Sequence, residues 1–212
     1  MIKVNEIYFS IQGESSKAGL PCVFVRLTYC NLRCSYCDTE YAFFEGKYLS
    51  IEEIVSEVKK YNCQLVEITG GEPLVQNESL LLMKSLADDG FEVMIETGGS
   101  LPIKEIDPRV MIIMDLKCPS SGMLKKNLYE NIDCLKPTDE VKFVLGSKED
   151  YDWAKQTIGN YRLTEKTAVL FSVVFGKLEP VKVVNWILED NLSVRFQLQM
   201  HKFIWEPAAK GV

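Results

Sequence analysis

The sequence has no long apolar run. The longest, Val110-Met111-Ile112-Ile113-Met114, covers five residues, whereas a membrane-spanning helix needs roughly 20. The opening segment, Met1-Ile2-Lys3-Val4-Asn5-Glu6, lacks the apolar stretch of a secretory signal. A cytoplasmic location with no membrane partner is the expectation. An excess of positive charge is also missing, since the formal net charge is -6 over 212 residues. Broad nucleic-acid binding needs a basic face, so no nucleic-acid partner is expected, although a local basic pocket stays open. There is no low-complexity tract, linker or repeat. The length suits one core rather than two, which predicts a single domain over residues 1–212.

Histidine is nearly absent, His201 being the only one. Cysteine is not: there are seven. In a reducing compartment seven cysteines do not read as a disulfide framework. Four are scattered (Cys22, Cys63, Cys118, Cys134) and read as small buried residues. The other three, Cys30, Cys34 and Cys37, form a C-x3-C-x2-C loop. Thiolates bind zinc or iron–sulfur clusters. A structural zinc wants four protein ligands, usually as two separated pairs, and here the fourth would have to be the remote Cys118 or His201. A [4Fe–4S] cluster on three cysteines leaves one iron free for a small molecule.

The periodicity alternates strand and helix. Strands are predicted at Lys3–Phe9, Cys22–Leu27, Leu65–Ile68, Phe91–Ile95, Val110–Leu116, Glu140–Leu145, Thr167–Val174 and Val194–Gln199. Helices are predicted at Ser50–Tyr61, Asn77–Asp89, Lys148–Ile158 and Pro180–Asp190. Ser50 and Glu53 have capping-box spacing, Gly90 ends the second helix, and Pro180 starts the last. Near-continuous apolar strands in a βα series imply a parallel sheet covered by helices. About six such strands are too few for a closed eight-stranded barrel. An open, partial (β/α) barrel with an extra N-terminal strand is therefore expected, with a doubly wound sheet as the alternative.

The cysteine loop, with Tyr36 before its last cysteine and Thr69-Gly70-Gly71-Glu72-Pro73 after a later strand, resembles the radical S-adenosylmethionine (SAM) superfamily. Ile11-Gln12-Gly13-Glu14, Arg26, Cys37-Asp38-Thr39 and the tail His201-Lys202-Phe203-Ile204-Trp205-Glu206-Pro207 resemble its 7-carboxy-7-deazaguanine synthase family. That resemblance implies a lyase acting on 6-carboxy-5,6,7,8-tetrahydropterin, with a [4Fe–4S] cluster, SAM and Mg²⁺. It implies a likeness in site residues as well. Cys30, Cys34 and Cys37 would hold the cluster and Thr39 the Mg²⁺. Tyr36, Cys37, Asp38, Gly71, Glu72, Lys117, Cys118, Pro119, Ser172, Val173, Val174 and Phe175 would contact SAM, with a weaker claim for Thr97. Ile11, Gln12, Gly13, Glu14, Arg26, Thr69, His201 and Val212 would contact the pterin, Arg26 through the substrate carboxylate. An electron donor such as flavodoxin or ferredoxin, and a homodimer, are implied in the same way. Two other readings compete: a radical SAM activating enzyme for a glycyl-radical partner, which does not explain Ile11-Gln12-Gly13-Glu14 with Arg26, and a zinc-binding module. Residues Ser120 to Pro137 carry no recognisable motif.

Overall fold

The computed structural model describes Met1 to Val212. Nine strands form one sheet in the order β3-β1-β2-β4-β5-β6-β7-β8-β9. They are β1 (Ile2–Ile11), β2 (Pro21–Leu27), β3 (Lys47–Leu49), β4 (Leu65–Gly70), β5 (Glu92–Thr97), β6 (Met111–Asp115), β7 (Glu140–Leu145), β8 (Ala168–Val173) and β9 (Arg195–Phe196). From β2 to β9 every pair is parallel, while β1 runs antiparallel to both β2 and β3. Parallel neighbours laid down in chain order exclude the doubly wound alternative, whose order reverses at a switch point. The edge strands β3 and β9 do not meet, so the sheet is an open, partial barrel.

Six helices accompany it: α1 (Ile51–Lys59), α2 (Glu78–Asp88), α3 (Lys148–Tyr161), α4 (Leu163–Lys166), α5 (Pro180–Glu189) and α6 (His201–Ile204). The Ser50 capping box forms as its spacing predicts. The Glu53 amide donates to Ser50 Oγ at 3.2 Å and the Ser50 amide donates to Glu53 Oε2 at 2.7 Å. Helix α3 runs past the expected Ile158 to Tyr161. The short β3, α4 and α6 carry too little periodicity to be read from sequence. The predicted strand Val194–Gln199 shrinks to two residues. As an edge strand, β9 pairs on one side only, and after the Gln197 amide bonds Phe171 the chain turns away toward the barrel mouth.

Strand alternation divides the side chains between two faces. The outer set (Val23, Val25 and Leu27; Val66 and Ile68; Val93 and Ile95; Ile112 and Met114; Val141, Phe143 and Leu145) packs with Ile54, Val58, Leu82, Leu86, Tyr151, Ala154 and Val183 of the helices in one core of 35 buried residues. The inner set begins with a small apolar floor of Cys22, Phe24, Leu65, Met94 and Ile113. One step further toward the C-terminal strand ends the inner residues turn polar: Arg26, Glu67, Thr69, Glu96, Asp115 and Lys142. The floor closes the barrel from below, and the polar layer forms the base of a cavity.

Candidate active site

A cavity of about 580 Å³ opens at the C-terminal ends of the strands, where active sites of (β/α) barrels gather. The volume lies within the range of small-molecule sites.

Cys30, Cys34 and Cys37 all line it, unpaired and half-buried. Their loop is held from behind. The Ser35 amide donates to Ser121 O at 3.0 Å and Ser35 Oγ to Ser120 O at 2.7 Å. The Glu72 amide donates to Tyr29 O at 2.8 Å, and the Leu32 amide faces Cys30 Sγ at 3.4 Å. Burial pushes all three thiols up, so the thiolates need a positive centre to persist. No three Cys, His, Asp or Glu side chains converge as they would around a single ion. An iron–sulfur cube does not ask for that, because each thiolate binds a different iron. Three cysteines on one wall of a cavity with no fourth protein ligand among them therefore fit a [4Fe–4S] cluster with one open iron better than a structural zinc.

Gly70 and Gly71 explain the glycine pair. Gly70 has φ +152°, and a Cβ there would stand 2.2 Å from Leu27 O; at Gly71 it would stand 2.3 Å from Tyr29 O and 2.8 Å from Cys30 Cβ. Glycine lets β4 pass directly against the root of the cysteine loop. Glu72 behaves differently from expectation. Its buried carboxylate accepts from the Leu74 and Gly98 amides (3.1 and 2.7 Å) and from Thr97 Oγ1 (2.9 Å), and it lies outside the cavity wall. Burial raises its carboxyl despite those three donors. Its observed work is to fix the turns after β4 and β5.

The residues expected to meet the pterin come together. Ile11, Gln12, Gly13, Glu14, Arg26, Thr69, His201 and Val212 all line the cavity. The loop after β1 is stitched to the tail: the Met200 amide donates to Gly13 O at 3.0 Å and Gln199 Nε2 to Glu14 Oε1 at 3.0 Å. A Cβ at Gly13 would sit 2.8 Å from His201 Nδ1, so glycine admits the imidazole. The segment Pro207 to Val212 folds along the same wall, with Lys210 Nζ 4.1 Å from the Tyr41 ring centroid. Arg26 donates from Nε to Glu6 Oε1 at 2.8 Å and from Nη2 to Tyr8 Oη at 2.7 Å. Its Nη1 makes no bond within the chain and is free for an anion. Gln12 is more constrained than its sequence suggests. Its amide donates to Glu67 and its carbonyl accepts from the Glu14 amide.

Tyr36, Asp38, Thr39, Lys117, Val174 and Phe175 also line the cavity. Cys118, Pro119, Ser172 and Val173 do not. Cys118 is packed into the outer core, and Pro119 opens a 3-10 turn away from the site. Ser172 is buried within β8 and Val173 points to the outer core; the strand has to end before Val174 and Phe175 can reach the mouth. Of the scattered cysteines, Cys22 and Cys118 are buried as expected, Cys63 is half-buried, and Cys134 is exposed.

Sequence reading passed over the charged layer beneath. Lys142 pairs with Glu14 at 2.9 Å and with Glu96. Burial would lower its ammonium, but the two carboxylates outweigh it and hold it well above the lysine range. Burial likewise pushes Glu14 up, and Lys142 and Gln199 more than reverse this, leaving it ionised. Glu67 has no such cation in contact. Burial and the neighbouring Glu96 push it up to about 8. The signal in the sequence was a charge at an inward position of each apolar strand: Glu67, Glu96, Asp115 and Lys142.

The comparisons agree with this geometry. The model of the radical SAM superfamily matches residues 25–176. A 7-carboxy-7-deazaguanine synthase from Koribacter versatilis is 46% identical over 226 residues, covering 100% of both chains. One from Chlorobaculum tepidum is 46% identical over 100% of this chain and 97% of its own. Among solved structures, QueE from Escherichia coli has the same fold (TM-score 0.78, 21% identity, 94% of each chain). Match, relatives and cavity converge on one statement: this chain belongs to the radical SAM superfamily and, within it, to the 7-carboxy-7-deazaguanine synthase family.

Proposed function

We propose that this chain is the lyase that converts 6-carboxy-5,6,7,8-tetrahydropterin to 7-carboxy-7-deazaguanine with loss of ammonia. One observation carries the reading. The cluster cysteines and the pterin-side residues Gln12, Glu14, Arg26 and Thr69 line a single cavity. Bound in this cavity, a [4Fe–4S] cluster and SAM would supply the radical chemistry needed at C6 of the pterin.

The chain's own residues bind, orient and exclude water. Cys30, Cys34 and Cys37 hold the cluster. Gly71, Tyr36, Lys117, Val174 and Phe175 surround the space for SAM. Arg26, fixed on two sides by Glu6 and Tyr8, directs its free Nη1 at the substrate carboxylate, a charge-assisted contact. Glu14, kept ionised by Lys142, accepts from the amino and ring N–H groups of the pterin. Glu67, largely protonated at neutral pH, keeps a further negative charge out of the cavity base. Thr39 would supply an oxygen ligand to Mg²⁺, an ion that takes few protein ligands; its hydroxyl faces Asp38 Oδ1 at 2.9 Å. The apolar floor and the folded tail keep bulk water from the reaction. A cytoplasmic homodimer served by a flavodoxin or ferredoxin completes the proposal. Neither a glycyl-radical activating role nor a zinc module gains support from a cavity with this lining.

The test is anaerobic purification, reconstitution with iron and sulfide, and addition of dithionite, SAM, Mg²⁺ and the pterin. Formation of 7-carboxy-7-deazaguanine is expected. A brown protein that cleaves SAM yet leaves the pterin untouched would refute the substrate. A colourless protein holding one zinc would refute the radical chemistry.

A further inference from the structure

Strand register sets Glu67 between Phe24 of β2 and Met94 of β5, both part of the apolar floor. Its carboxyl rises from those apolar surroundings into the wall of the cavity and is buried, with 2% exposure. Gln12 Nε2 donates to Oε2 at 2.6 Å. The other oxygen, Oε1, has no hydrogen-bond partner within the chain. Unlike the orphaned oxygens of Asp115 and Glu140, it is not sealed in the interior. It opens on the cavity.

The groups around Glu67 decide which form it takes. Glu96 on β5 and Glu14 after β1 are carboxylates, and Lys142 on β7 is spent on those two. Tyr8 of β1 and Cys22 of β2 face it as neutral groups. Arg26 of β2 lines the same base but is held by Glu6 and Tyr8. Burial and Glu96 therefore keep the acid neutral up to about pH 8. Because Oε2 takes the Gln12 hydrogen, the acid's own proton belongs on Oε1, toward the cavity. A neutral carboxyl donates, whereas an ionised one can only accept. Along one edge the pterin ring presents an amino group, a ring N–H and a carbonyl oxygen. Ionised Glu14 can take the first two and has nothing to give the third.

We propose, resting on the pterin reading above, that Glu67 is a substrate-recognition residue whose carboxyl O–H donates from Oε1 to the ring carbonyl of the pterin. The two carboxyls of the base then divide that edge, Glu14 accepting and Glu67 donating. No covalent bond forms or breaks, and the proton stays on Glu67. A ring of the same outline with an amino group in place of the carbonyl would set donor against donor, so the site selects against it.

The experiment reads KM and kcat for the pterin between about pH 6.5 and pH 9, with reconstituted enzyme at saturating SAM, for the wild type, Glu67→Gln and Glu67→Leu. Wild-type KM should rise about tenfold from pH 7 to pH 9 as the neutral form is lost around pH 8, since apparent affinity scales with the competent fraction. The value of kcat should change less than about twofold. Glu67→Gln still donates, from its amide, so its KM should vary less than about threefold over the same range; effects of pH on the pterin, SAM and other groups are common to both enzymes. Glu67→Leu donates nothing and should raise KM at pH 7 about tenfold, the loss of one hydrogen bond to a buried partner, most of which Glu67→Gln recovers. A role confined to holding Gln12 predicts otherwise, because ionised Glu67 would still accept from Gln12 Nε2 and wild-type KM would not rise with pH. A flat wild-type KM, parallel profiles in the wild type and Glu67→Gln, or an unchanged KM in Glu67→Leu would each overturn the proposal. Should Glu67→Leu fail to fold, the wild type against Glu67→Gln decides alone. No turnover of the pterin by the wild type at any pH would instead refute the substrate reading, and the proposal with it.

Discussion

Gln12 Nε2 donates to Glu67 Oε2 at 2.6 Å, across 55 positions of sequence. The bond ties the loop after β1 to the inner face of β4, and the Gln12 carbonyl meanwhile accepts from the Glu14 amide. This cavity-lining loop is therefore positioned from below by a carboxyl that is buried and largely neutral, not by solvent-exposed turn geometry.

Glu67 gives the protein a pH-dependent stability of definite sign. Its folded-state pKa is raised, from the ordinary 4.5 to about 8. A raised acid binds more protons in the folded state, so stability is fullest below pH 4.5 for this group and is lost as pH rises through about 8. Glu67→Gln should remove that loss. Thermal melts of the apoprotein at pH 6 and pH 9 should differ less in the variant than in the wild type. Equal differences would show that Glu96, Glu14 and Lys142, the charges facing it, already neutralise the site.

Lys142 is the only cation touching Glu14 and Glu96 in the cavity base. Lys142→Met would leave the half-buried carboxylates of Glu14 and Glu96 without a cation, Glu14 keeping only its bond from Gln199, which costs roughly 3 kcal/mol, the low end for breaking a buried ion pair. For a chain of this size each kcal/mol shifts Tm by about 2–4 °C, so a fall on the order of 10 °C is expected by calorimetry. A Tm within about 2 °C of wild type would contradict the pairing.

Gly71→Ala tests the contact between β4 and the cysteine loop. The added methyl would meet Tyr29 O at 2.3 Å and Cys30 Cβ at 2.8 Å, both too close to accept. The loop must shift, and reconstituted iron content, read from the brown cluster absorbance, should fall severalfold. Gly90→Ala is the control, since a Cβ there meets nothing within 4 Å; its left-handed φ costs some stability but should leave iron loading intact.

Arg26→Ala should raise KM for the pterin by at least about tenfold, the value of one charge-assisted hydrogen bond, with cluster absorbance unchanged. Loss of the absorbance would mean that the Arg26–Glu6 and Arg26–Tyr8 bonds serve the fold instead.

Local pattern determined a good deal. The C-x3-C-x2-C spacing and Gly70-Gly71 announced the chemistry, and the capping box at Ser50, Gly90 and Pro180 placed helix ends, because each depends on residues a few positions apart. Strand periodicity revealed the βα series for the same reason. Tertiary structure alone decided the rest. Strand order, and with it an open barrel instead of a doubly wound sheet, depends on pairings between distant segments. Only that order stacks Glu67, Glu96 and Lys142 into one charged layer, sends the carboxylate of Glu72 into backbone amides instead of the cavity, and lays the Pro207–Val212 segment along the cavity wall. The bonds that build this site include ones between residues 25, 46 and 185 positions apart, and a burial environment built from such neighbours has no local signature in the chain.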